Sequence, residues 1–191
     1  VIIGDFVYGV ITKNILDEII KAAKKHNVKL FGDLQCSSQV GNVSKFRDFN
    51  LITPTEREAR IALGDTENGL EKIGQDLIGV TNSQNLMITL AENGMVAFQR
   101  DQSDKDYITS QFFPALVTNP IDVAGAGDSL LSALSLSLCV ENNLMLASII
   151  GSCIAAISVN RVGNIPVKLS ELEDYLHHLG KVVGRKNYSF N

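Results

Sequence analysis

Asp122-Val123-Ala124-Gly125-Ala126-Gly127-Asp128 runs directly into Ser129-Leu130-Leu131-Ser132-Ala133-Leu134-Ser135-Leu136-Ser137-Leu138-Cys139. Gly125 and Gly127 bracket one small residue, so the backbone can turn tightly and present successive N–H groups. The stretch from Ser129 to Cys139 has no charge, Pro or Gly, and is too long for one strand; it reads as a buried helix. A glycine turn that opens a helix is an anion site, because the first N–H groups lack partners and the dipole end is positive. Asp128, a carboxylate set beside that anion site, suits a base that takes a proton from a hydroxyl. Read alone, the same residues describe equally well a helix start capped by an acid. The third glycine of a dinucleotide fingerprint is missing, and so is the Gly-Lys-Ser/Thr of a P-loop.

The surrounding chain alternates strand and helix. Val1–Ile3 reads as a buried strand ending at Gly4-Asp5, Lys13–His26 as an amphipathic helix, and Lys29–Gly32 as a strand ending at Asp33. A polar loop with Ser37, Ser38, Gly41 and Asn42 leads to a short strand, Leu51–Thr53. Pro54 opens a helix to about Leu63, and Leu70–Ile78 is a further helix. Leu86–Leu90 and Met95–Gln99 form a hairpin around a tight Asn93-Gly94 turn. Tyr107–Phe113 and Ala115–Thr118 read as extended, Leu144–Val159 as a small-residue helix, and a last helix follows a Ser170/Glu173 capping box. This order predicts an α/β fold with a parallel sheet covered on both faces, and ligands at the carboxyl ends of strands.

Composition sets bounds. The 191 residues suffice for one domain, 1–191, and carry a net charge of −4 from 17 basic and 21 acidic side chains. No basic cluster points to nucleic acid, and the Leu130–Leu138 run is too short and serine-rich to span a membrane. Cys36, Cys139 and Cys153 lack metal-ligand spacing and read as reduced, mostly buried thiols of a cytoplasmic protein. His26, His177 and His178 fall on predicted helix surfaces. Because Val1-Ile2-Ile3 reads as strand at the outset, upstream sequence is expected to be missing. On that expectation the strand edge exposed beside Val1–Ile3 makes these residues self-associate.

Asp122-x-x-Gly125-Ala126-Gly127-Asp128 before a small-residue helix resembles the second signature of the ribokinase-like (PfkB) carbohydrate kinases, with Val123 in place of the usual Thr. The resemblance runs from Val1 to about Leu179 and implies a three-layer, mostly parallel α/β fold; the tail 181–191 matches nothing comparable. It implies Asp128 as general base and the N–H groups of Gly125, Ala126 and Gly127 around the transferring phosphoryl. Thr53-Pro54-Thr55-Glu56-Arg57-Glu58 resembles the family's Pro-Asn-x-x-Glu, with Thr55 for Asn, which implies a Mg2+-organising role for Glu58; Thr55-x-x-Glu58 is also a capping box. Met87–Gly94 resembles the strand and turn near the nucleotide, with Ala91 for a Gly, and implies nucleotide contacts at Thr89 and Gly94; it is also a plain hairpin. Ile154–Val159 and Val162-Gly163-Asn164 resemble the helix and loop on the adenine side, although Ile154 and Ile157 read first as core. The implied nucleotide contacts are thus Thr89, Gly94, Asp122, Gly125, Gly127 and Asn164.

Gly4-Asp5-Phe6-Val7-Tyr8-Gly9 resembles a segment of the heptose-phosphate kinase subgroup, with Tyr8 for a Lys, and Asp33 resembles the acid after the next strand there. Asp5 and Asp33 are the implied substrate contacts; strand-end capping explains them as well. The expectation is therefore an ATP- and Mg2+-dependent kinase of a sugar or sugar phosphate, with heptose 7-phosphate as the finer candidate. A monovalent cation is a further candidate cofactor, and a homodimer the candidate assembly. The rivals are a non-catalytic nucleotide-binding module of the same fold, and a kinase of a nucleoside, pyridoxal or hydroxymethylpyrimidine.

Overall fold

The computed structural model describes residues 1–35, 41–101, 103–104 and 106–187, with the backbone alone for 182–187; Cys36, Ser37 and Ser38 lie outside the described residues. One six-stranded sheet runs β1 (Ile2–Asp5), β2 (Phe31–Leu34), β3 (Leu51–Ile52), β4 (Asn85–Thr89), β5 (Met95–Arg100) and β6 (Ile108–Phe113) in sequential spatial order. The first four strands are parallel; β5 and β6 fold back antiparallel. Helix α1 (Lys13–His26) joins β1 to β2, and α2 (Glu56–Leu63) with α3 (Leu70–Thr81) joins β3 to β4. Helices α4 (Ala126–Val140), α5 (Leu144–Val159) and α6 (Leu169–Asn187) follow the sheet.

Alternation along the strands sends side chains to two separate cores. Leu86 and Ile88 of β4 join Ile52, Val96 and Phe98 under α1, α2 and α3, where Leu16, Ala23, Ala59, Ile73 and Leu77 meet them. Met87 joins Phe31, Leu51, Met95 and Ala97 on the other face, under Leu130, Leu131, Leu134 and Leu138 of α4. Both faces of the sheet are thus covered, and α4 and α5 form one layer. Ser132, Ser148 and Ser152 donate within the helices to the carbonyls of Asp128, Leu144 and Ser148, whereas the Ser135 hydroxyl is buried without a partner among the described residues. Gly151 lets the two helices approach, since a Cβ there would lie 2.7 Å from Leu130 Cδ1.

Several boundaries depart from the sequence reading. β1 is a half-exposed edge strand with Ile3 and Asp5 buried, not a buried one. β2 runs Phe31–Leu34 instead of Lys29–Gly32, so Asp33 sits within the strand, paired with Gly4 of β1. The β4–β5 connection spans Leu90–Gly94 with a 3-10 turn over Ala91–Asn93, longer than a tight turn at Asn93-Gly94. Ala115–Thr118 is not a strand; β6 stops at Phe113, before Pro114, which has no N–H to donate to a ladder. The last helix starts at Leu169, where the Glu171 carboxylate accepts the Lys168 N–H at 2.7 Å, in place of the Ser170/Glu173 box. Cys153 is buried, but Cys139 is exposed.

Candidate active site

Gly125 is the N-cap of α4, in the left-handed region at φ 75°. A Cβ there would lie 2.2 Å from Asn164 Oδ1, so backbone shape and close approach both require glycine. Gly127 plays another part. It is not in the left-handed region, and a Cβ on it would meet nothing within 4 Å. Its bareness leaves space in front of the helix rather than permitting a turn. The Ala126 N–H already donates to Val123 O at 3.2 Å, which takes it out of the expected set of phosphoryl donors. Among the described residues, the N–H groups of Gly125, Gly127 and Asp128 have no acceptor. They crown a helix whose dipole adds positive potential. The Asp122 carboxylate accepts the Ala124 and Gly163 N–H groups, both at 2.9 Å, and these hold it below the usual carboxylate range. It stitches the turn to the 163 loop, bringing Asn164 against Gly125.

Two clefts meet at this turn. The smaller, about 530 Å³, is bordered by Asp33, Gln35, Thr53, Glu58, Gly125 and Asp128 among others. The larger, about 1190 Å³, is bordered by Leu90, Gly94, Phe113, Leu116, Ala155, Ala156 and Val159 among others, and is mostly apolar. Thr55, Arg57, Ile61, Thr89, Gly127 and Leu130 border both. Ser152, Ala155, Ala156 and Val159 of α5 border the larger cleft, and Ile154 and Ile157 do not. Asp122 and Asn164 border neither cleft; they shape the turn from behind.

Three carboxylates face one another across the smaller cleft. Asp33 and Thr53 stand on the α4 side of the sheet, in step with Phe31 and Leu51. Thr53 Oγ1 donates to Asp33 Oδ1 at 3.1 Å. Gln35 Nε2 donates to Asp128 Oδ1 at 2.9 Å and to Asp33 Oδ2 at 3.5 Å. Burial pushes the Asp33 carboxyl from 3.8 up to about 6, with the Thr53 hydrogen bond opposing and the Glu58 and Asp128 charges reinforcing the rise. Glu58 is buried in a complete capping box: its Oε2 accepts the Thr55 N–H at 2.8 Å, and its own N–H donates to Thr55 Oγ1 at 3.3 Å. The same side chain borders the cleft.

The structure separates Asp5 from this group. Asp5 pairs across the β1–β2 ladder with Leu34 and follows Ile3, so it faces the α1 side, whereas Asp33 pairs with Gly4. Its carboxylate forms an ion pair with Lys45 and accepts the Val7 N–H at 2.9 Å. Asp5 therefore organises the loop after β1 instead of lining the smaller cleft. Gly94 has a structural duty beside its place in the larger cleft, for at φ 103° a Cβ would lie 2.1 Å from Phe113 O. Ala91 is held in the left-handed region at φ 51°. Sequence reading missed Gln35 and Arg57. With β2 placed correctly, alternation puts Gln35 on the side of Asp33. Arg57 was visible as a base in the first turn of a helix, where bases are disfavoured.

The profile of the pfkB family carbohydrate kinases matches residues 1–170. The chain belongs to that family. Among curated proteins it is 29% identical over 184 residues to the "Bifunctional protein HldE" of a Nitratiruptor species, covering 95% of this chain and 36% of that one. It is 27% identical to the protein of the same name from Campylobacter jejuni, over 92% of this chain and 36% of that one. The chain thus spans about a third of the length of these relatives. Phosphofructokinase-2 from Escherichia coli, crystallised with potassium, superimposes with a TM-score of 0.76 at 14% identity, over 94% of this chain and 56% of that one. Ribokinase from Thermotoga maritima does so with a TM-score of 0.67 at 24% identity, over 85% and 53% of the two chains. Both likenesses are of fold, and they place this chain in the ribokinase-like architecture.

Proposed function

We propose that this chain carries the phosphoryl-transfer centre of an ATP-dependent kinase acting on an alcohol group of a sugar or sugar phosphate. The observation that carries this reading is the seat of Asp128: a carboxylate beside open N–H groups, where an apolar cleft meets an acidic one. The apolar cleft suits a purine, the helix start suits the nucleotide's terminal phosphates, and the acidic cleft suits a hydroxyl-rich acceptor. The acceptor hydroxyl gives its proton to Asp128. Its oxygen then bonds the γ-phosphorus as the bond to the β–γ bridging oxygen breaks, leaving ADP. The N–H groups of Gly125 and Gly127 hold the charge on the moving phosphoryl. Thr89, at the junction, faces the nucleotide.

Mg2+ fits as a companion of the nucleotide. Among the described residues no group of three His, Cys, Asp or Glu side chains is placed to hold a metal ion. A cation that arrives on phosphate oxygens and keeps its waters needs only the hard oxygen of a carboxylate such as Glu58. The finer acceptor we propose is heptose 7-phosphate, supported by the sequence resemblance around Gly4–Gly9 and at Asp33, the one of the two acids that borders the smaller cleft. Asp128→Asn in the full-length protein tests the centre. Turnover should fall about 10²–10⁴-fold with ATP affinity retained. Turnover within a few fold of wild type removes Asp128 as the base.

A further inference from the structure

The smaller cleft poses an electrostatic problem for a kinase. Asp33, Glu58 and Asp128 all border it, yet a nucleotide must bring negative phosphates to its mouth. Among the described residues bordering that cleft, Arg57 is the one cation. Its guanidinium has no hydrogen bond or ion pair with any described residue. Arg60, the neighbouring cation of the larger cleft, is fully engaged: it pairs with Glu56 at 2.8 Å and donates to Asn68 O at 2.8 Å. Arg57 is also misplaced by local rules. It lies in the first turn of α2, where the dipole repels a base, and Ile61 and Arg60, its partners one turn on, offer no acid. A side chain that costs stability locally and gains no partner in the fold is expected at a functional site.

We infer that Arg57 grips the terminal phosphates of the bound nucleotide where they pass from the larger cleft into the smaller. The inference rests on the kinase reading above. Arg57 borders both clefts, as does Gly127 at the start of α4, so a phosphoryl group at the junction meets both the guanidinium and the helix start. The planar fork matches two phosphate oxygens at once, and its charge offsets the crowd of carboxylates as the phosphate enters.

Calorimetric titration of the full-length protein with adenosine, AMP, ADP and ATP, in Mg2+, tests this. Wild type should bind ATP well above adenosine. Arg57→Ala should leave adenosine and AMP within about twofold and weaken ATP about 10- to 100-fold. Arg57→Lys should recover part of the loss, as a charge without the fork. The melting temperature of Arg57→Ala should hold or rise, which a structural arginine would not allow. A hexose phosphate titrated in parallel separates the two sources of phosphate. Loss of hexose phosphate binding with ATP binding intact would assign the cation to the acceptor and overturn the inference. Unchanged ATP affinity in Arg57→Ala would overturn it too, with the nucleotide cleft left standing. A wild type that binds neither adenosine nor ATP would overturn the kinase reading itself, and Arg57's role with it.

Discussion

Asp33 is the residue whose environment most changes its chemistry. Burial holds its proton up to about 6, against 3.8 in an open chain. Between those two values the folded protein binds more protons than the unfolded one, so raising the pH through that window removes stability. The contribution is intact below about 3.8 and lost above about 6. A gap of that size is worth on the order of 1–3 kcal/mol. Asp33→Asn keeps an acceptor for the Thr53 hydroxyl and cannot ionise. Urea melts from about pH 4 to about pH 8 should therefore show the variant gaining on wild type as pH rises, by about 1–3 kcal/mol at the top. Parallel curves would mean that Asp33 is not desolvated. At this scale the sequence was only partly legible. Asp128 could be read from the glycines beside it, because helix start, turn and acid are local. Gln35 touches Asp128 from 93 positions away, a contact that no window on the chain displays. Gly125 and Gly127 look alike in sequence, yet one serves the backbone and the other keeps space open.

Among the elements, α2 shows how one side chain serves two masters. The Thr55–Glu58 box satisfies donors at the helix start, and the same Glu58 carboxylate borders the acidic cleft. Gln at position 58 preserves an acceptor oxygen for the Thr55 N–H but carries no charge. Glu58→Gln should therefore melt within about 0.5 kcal/mol of wild type, while full-length turnover demands more Mg2+. Thermal melts beside Mg2+ titrations of ATP turnover decide. A clear stability loss with an unchanged Mg2+ requirement would leave Glu58 as a cap alone. Element types were readable because α1, α3, α4 and α5 keep apolar spacing or long uncharged runs. Their ends were less so. Asp33 is a poor strand former, and β2 holds it through its pairing with Gly4 of β1. The start of α6 escaped reading because Lys168 is capped by the acid three residues on, without help from its own side chain.

At the scale of the whole molecule, two cores lie back to back across one sheet, and the site sits at the carboxyl ends of the parallel strands. That placement followed from the order of strands and helices. Which acid faces which core also followed, in principle, from alternation: Asp5 falls with Ile3, and Asp33 with Phe31. The missing step was register, which depends on pairing between distant segments. No helix among the described residues is long and apolar enough to cross a membrane. The division into two cores reaches beyond packing. α4 and α5 pack closely on each other and share one core, and α4 begins at the glycine turn. Such a pair is suited to opening as a single cooperative unit in native-state amide exchange, below the free energy of global unfolding. Ligand held at the turn should close that unit selectively. With ATP at about 100 times its dissociation constant, amides in α4 and α5 should slow by up to about 100-fold, while those of α1, in the opposite core, keep their rates.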